Sequence, residues 1–201
     1  MQQGKITMKG ARALTKEEIA SITKSFWGKY EIRDRSLFLI GLYTGARISE
    51  LISLNIGDVF QHNKIVKTLE LRKAITKGKR TRQIPLNPEA RETIETLIEW
   101  KKTQGEQLEP DAPLFCSRKK CGRLTRIQAH RILKKAYDDN ELTGKVTTHS
   151  MRKSFATTLA QNNPLKIVKE LLGHSSLAIT DKYLSVTEED LRSAVSRLSY
   201  A

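Results

Sequence analysis

The sequence predicts an α+β protein, mainly α-helical, with a small antiparallel sheet of two to three strands. Three observations carry that reading. Apolar residues recur at helical spacing through most of the chain. Helix boundaries are marked by Ser and Thr caps, a proline at one first turn, and glycines at ends. Between residues 59 and 86 the pattern changes to β-branched residues in partial alternation, interrupted by the polar run TKGKR.

Taken in order, residues 1–13 are basic and short of apolar anchors, and read as a flexible arm before a single domain over 14–201. In LTKEEIASITKSF, Thr15 is the N-cap and Glu18 completes a capping box. RDRSLFLIGLYTG is a second, more apolar helix, with Gly45 suited to the left-handed residue after its end. RISELISL is short and amphipathic, turning Ile48, Leu51, Ile52 and Leu54 inward. KIVKTLELRKAI and TRQIPL are strands around a tight basic turn near Gly78, and Pro85 fits the end of an edge strand. Pro88 opens the helix PEARETIETLIEWKKTQ, which buries Ile94, Leu97 and Ile98.

Gly105, Pro110 and Pro113 mark a loop over 103–113. LTRIQAHRILKKAYDD is helical and basic on one side, and THSMRKSFATTLAQ is a helix capped by Thr148 or Ser150. PLKIVKELLG stops at Gly173, and SSLAITDKYLSV is helical. The last helix, 187–201, has an apolar stripe of Leu191, Val195 and Leu198 that fits its own core. No internal repeat appears.

Charge narrows the function. Thirty-six Lys and Arg against 22 Asp and Glu give a formal +14 over 201 residues. Such an excess favours a polyanionic partner, since each neutralised phosphate releases condensed counterions. No cationic amphipathic helix with exposed large apolar residues suggests a membrane surface, and no segment resembles a transmembrane span or a signal peptide. Nucleic acid is the expected partner of such a charge, which ribosomal and chromatin proteins share, and the cytoplasm is the expected compartment. Cys116 and Cys121, without CxxC spacing or a nearby His pair, read as reduced thiols rather than metal ligands.

Six residues form a candidate site. Arg47 follows YTGA at a helix start, and Lys77 lies in the basic turn. His149 and Arg152, three apart, share a helix face, and His174 and Tyr183 complete the set. Attack on a phosphodiester builds negative charge on its non-bridging oxygens, which guanidinium forks can hold while remaining charged. A phenol is a weak nucleophile at neutral pH, with a pKa near ~10, and a neighbouring imidazole can accept its proton or stabilise the phenolate. A mobile lysine can protonate the leaving oxygen. This chemistry needs neither metal nor nucleotide cofactor.

The strings TGARISEL, TKGKRTRQIPL, HSMRKSFAT, LLGHSS and TDKYLSV resemble, in order and rough spacing, the motif set of the tyrosine recombinases, the phage-integrase family. The resemblance runs from about residue 12 to about residue 190. It implies the catalytic-domain fold of that family and a site-specific DNA recombinase. Arg47 and Arg152 would bind the scissile phosphate. Lys77, preferred over Lys79, would protonate the leaving 5′ oxygen, and His149 would serve in acid–base work. His174 would hydrogen-bond a non-bridging oxygen, and Tyr183 would attack phosphorus to leave a 3′-phosphotyrosyl link. Glu50 would orient the basic residues. Lys79 and Arg80 of the basic turn, and Arg126, Arg131 and Lys134 of a dense basic stretch that also includes Arg123, are expected DNA contacts.

A homo-oligomer on double-stranded DNA at the nucleoid, a tetramer, is implied as well, and the last helix would then dock on its own core or on a neighbouring copy. Family members usually carry an N-terminal clamping domain, where here only about a dozen residues precede the first helix, so the chain is expected to be either a fragment or a minimal member gripping DNA from one side. Lys153 and Ser185 stand where many members carry histidine. Competing readings are a type IB topoisomerase-like enzyme, a non-catalytic DNA-binding accessory protein and a structural RNA-binding protein. The last has no use for both HxxR and LGH with a spaced tyrosine.

Overall fold

The computed structural model describes residues 10–72, 81–118, 122–176, 178 and 180. Among them eight helices and four short strands follow one another as α1 (Lys16–Ser25), α2 (Glu31–Thr44), α3 (Ile48–Ile52), α4 (Ile56–Val59), β1 (Phe60–Gln61), β2 (Lys64–Ile65), β3 (Thr68–Leu71), β4 (Arg82–Pro85), α5 (Pro88–Thr103), α6 (Arg126–Asp139), α7 (Thr148–Ala160) and α8 (Leu165–Leu172). Helix α2 is the centre. Leu37, Phe38 and Ile40 are fully buried, and the helix packs on α5 on one side and α7 on the other. Ile94, Leu97 and Ile98 of α5 fill the core as their spacing predicts. Phe38 lies between Phe26 and Tyr137, with ring centroids 5.9 and 6.4 Å away.

Local signals account for most boundaries. Thr15 Oγ1 accepts from Glu18 N–H while the Glu18 carboxylate accepts from Thr15 N–H, the reciprocal pair that starts α1. Asn87 caps α5 directly before Pro88, and Thr125 caps α6. Helix α7 is capped by Thr147, one residue earlier than expected. Its hydroxyl accepts from His149 N–H, while the Ser150 hydroxyl, one of the two expected caps, accepts from Thr147 N–H.

The β-region differs from a single small sheet. It forms two separate two-stranded antiparallel sheets, β1–β2 and β3–β4. Between β1 and β2, His62 and Asn63 both take positive φ, which closes a two-residue turn without glycine and sets an additional hairpin inside the predicted strand run. In β3–β4, Leu69 faces Ile84 and Leu71 faces Arg82, all four on the buried side. The predicted turn near Gly78 lies outside the described residues, as do the closing helix and most of 177–186.

At its inner end the predicted arm is tied down. Arg12 donates its backbone N–H to Lys145 O, and its guanidinium ion-pairs with Glu18. Leu14 N–H then donates to Ser154 Oγ of α7 at 2.8 Å. Two cations act as internal cross-links. Arg123, expected on a DNA-facing stretch, instead donates to Ile52 O, Leu54 O and Asn55 Oδ1. Lys101, fully buried, bonds Glu106, Pro113 O and the Cys116 thiol, which burial pushes up in pKa. No described helix is long and apolar enough to cross a membrane.

Candidate functional site

The site begins where α2 ends. Gly45 takes φ +58°, and a side chain there would collide with the Phe155 ring of α7. Its carbonyl, freed at the helix end, accepts from Arg152 Nη1 at 2.6 Å. Arg152 sits on α7 one residue after Met151, which packs into the core against Gly41. Helix packing therefore delivers the arginine to a fixed place.

Two residues beyond Gly45, Arg47 stands at the N-cap of α3. Glu50, on the first turn of that helix, takes the Arg47 backbone N–H at 2.7 Å and Arg47 Nη1 at 2.7 Å. The same carboxylate accepts from Arg82 Nη2 at 3.1 Å. Glu50 is wholly buried, so these bonds act with little solvent screening.

Helix α8 supplies the third side. It ends in a Schellman arrangement, with Gly173 at φ +64°, Gly173 N–H donating to Glu170 O and His174 N–H to Lys169 O. The turn leaves Leu172 O pointing into the site, where it accepts from Arg152 Nη2 at 2.7 Å and from Arg82 Nη1. Immediately after the turn, His174 Nε2 lies 2.9 Å from Arg152 Nη2, and Nδ1 lies 3.0 Å from Thr180 Oγ1. A guanidinium can only donate, so Nε2 accepts, and Nδ1 carries the proton toward Thr180. Burial and then the charges of Arg152, Arg47 and Arg82 hold His174 down at about 4, so the ring is neutral at physiological pH.

That shift has a measurable consequence. The unfolded chain, with His174 near ~6.5, binds more protons than the folded one between about pH 4 and 6.5. The stabilising contribution is complete above that window and is lost as pH falls through it. Urea midpoints should drop between pH 7 and 4.5, and His174→Gln should flatten that drop. An unchanged pH slope in the variant would refute the assignment.

Of the expected site residues, Arg47, Glu50, Arg152 and His174 form one bonded network. His149 is exposed on the first turn of α7, three residues before Arg152. Arg126, Arg131 and Lys134 are exposed on α6, where Lys134 pairs with Asp138. Lys77, Lys79, Arg80 and Tyr183 lie outside the described residues. Two members were missed. Arg82 follows the basic turn directly, and only its alternation with Ile84 marks it as inward-facing. Thr180, fully buried, carries no signal short of the fold.

The profile of the phage integrase family matches residues 12–190. The chain belongs to the phage integrase family. It is 29% identical over 192 residues to tyrosine recombinase XerD of Halalkalibacterium halodurans, covering 94% of this chain and 62% of that protein. To tyrosine recombinase XerC of the same organism it is 34% identical over 169 residues, covering 81% and 53%. Among solved structures, XerH site-specific recombinase bound to palindromic difH substrate in a post-cleavage complex superposes with a TM-score of 0.75 at 27% identity, covering 92% of this chain and 52% of that one. The fold is that of a tyrosine-recombinase catalytic domain, and the chain spans little more than half the length of these relatives. The family resemblance and fold class expected from the motifs are thereby borne out.

Proposed function

We propose that this member of the phage integrase family is a site-specific DNA recombinase that cleaves and rejoins strands through Tyr183, without metal or nucleotide cofactor. The observation carrying the reading is the charge balance of the site. Three guanidinium groups, Arg47, Arg82 and Arg152, gather around one carboxylate and a neutral imidazole. The surplus of positive charge at half-buried to buried positions suits a phosphodiester anion.

In the proposed reaction the Tyr183 oxygen attacks phosphorus while the bond to the 5′ oxygen breaks. His149 takes the phenol proton, and Lys77 gives one to the leaving oxygen. The 3′-phosphotyrosyl ester retains the energy of the broken bond, and attack by a 5′ hydroxyl from the partner duplex reverses each step. Arg47 and Arg152 hold the non-bridging oxygens. For His174 to donate to one of them, its proton must move to Nε2. The Thr180 hydroxyl supports that exchange, since it can turn from accepting at Nδ1 to donating there.

Contact with double-stranded DNA is supported by α6, whose exposed face carries Arg126, Ile127, His130 and Arg131. Lys134 would exchange its exposed partner Asp138 for phosphate at little cost, since such surface pairs are worth about 0.2–1 kcal/mol. Assembly as a homo-oligomer, a tetramer on two duplexes, and a place at the nucleoid complete the proposal. Nicked suicide substrates bearing candidate sites, denaturing gels and mapping of the DNA-linked peptide test it. A covalent link at Tyr183 is expected, and a link elsewhere or none would overturn the reading.

A further inference from the structure

We infer that Arg82 is a positioning residue for this reaction, coupling Arg47 and Arg152 through the two acceptors it shares with them. The inference rests on the recombinase reading above. Arg82 occupies a place built for an apolar side chain. It opens β4 on the inward face, opposite Leu71 and two residues before the fully buried Ile84. Its side chain is 7% exposed, and burial pulls its pKa down, against the raising influence of Glu50. Desolvating a guanidinium is costly, and a well-packed apolar residue often serves stability as well. Packing alone therefore gives no reason for an arginine here.

Its bonds supply one. Nη2 donates to Glu50 Oε2, the oxygen that also accepts the Arg47 backbone N–H, while the other oxygen of that carboxylate holds Arg47 Nη1. Nη1 donates to Leu172 O, which also accepts from Arg152 Nη2. Arg82 is thus bonded both to the group that holds Arg47 and to a group that holds Arg152. Removing it would leave the two phosphate-binding forks on separate supports, one on α3 and the other between α2 and α8. The chain turns tightly past the arginine at Gly173, where a Cβ would stand 3.0 Å from Arg82 Cδ. Glycine there lets α8 close onto the arginine's stem, with Leu172 O in reach on one side and His174 on the other.

Single-turnover cleavage of suicide substrates tests this with the whole chain. Arg82→Ala should slow adduct formation about a hundredfold, the scale of an ångström of misplacement, with DNA affinity changed by less than about threefold. Arg82→Lys should restore part of the rate. A second substrate, with one non-bridging oxygen of the scissile phosphate replaced by methyl, is uncharged there and asks less of the arginine pair. On it the Arg82→Ala defect should shrink markedly. Cleavage by Arg82→Ala within about threefold of the parent rate, or an equal loss on both substrates, overturns the inference. If Arg82→Ala does not fold, Arg82→Gln, which keeps a donor toward Leu172 O, decides the same comparison. Should neither fold, the residue belongs to the framework and the inference is wrong. A parent protein that forms no adduct at all instead brings down the recombinase reading, and the inference with it.

Discussion

Tyr183→Phe should abolish the covalent protein–DNA adduct, a loss of about ten-thousandfold or more, while DNA affinity stays within about twofold of the parent. The substitution removes one oxygen and keeps the ring, so packing and the basic surface are unchanged. Without that oxygen no protein–phosphate ester can form at this position, and attack by water would leave a nick without a linked peptide. The tyrosines in the described part of the chain are poorly suited to replace it. Tyr137 is locked in the core beside Phe38, and burial pushes its phenol far up in pKa. Burial, then Glu89 and Glu92, also raises Tyr43. Tyr30 is covered by Arg33, whose guanidinium carbon lies 4.4 Å from the ring centroid. Gel-shift titration beside a denaturing gel checks both halves of the prediction. An adduct surviving in the variant would place the nucleophile elsewhere.

What could be read from the sequence follows the range of the interactions involved. The Thr15–Glu18 box, the Asn87–Pro88 start and the glycine ends at 45 and 173 are settled within five residues of chain, so local rules find them. Arg47, Arg152 and His174 were legible because each sits in a short string whose neighbours set its backbone. Their joint bonding was not. Arg82 meets Leu172 O across 90 residues, and Arg152 meets Gly45 O across 107. Main-chain carbonyls leave no trace in composition, so a guanidinium that ends on one looks like any surface cation. Arg123 shows the same effect from the other side. It lies in the densest basic run, yet three acceptors between residues 52 and 55 draw it away from solvent. The β1–β2 turn escaped detection because His62 and Asn63 adopt positive φ without the usual glycine.

Glu50→Ala should destabilise the fold by about 3 kcal/mol, the lower end for breaking a buried ion pair. The carboxylate is buried, and its loss strands Arg82, itself nearly buried, and leaves the Arg47 N–H without its acceptor at the start of α3. Arg47 is 23% exposed and can recover water, which is why the lower end applies. Three guanidinium groups would then share the site without a counter-charge, so the variant should also bind free phosphate or sulfate and regain part of its stability in either salt. Glu50→Gln keeps the acceptor oxygen but not the charge, and should fall between the two. The cause can be separated from simple loss of packing. In Glu50→Ala/Arg82→Met the stranded charge is gone, and the double variant should be more stable than the sum of the two single losses by about 1 kcal/mol or more. Urea unfolding of the four proteins closes that cycle. Strict additivity would show that Glu50 and Arg82 act independently, and the shared-acceptor account of the site would have to be given up.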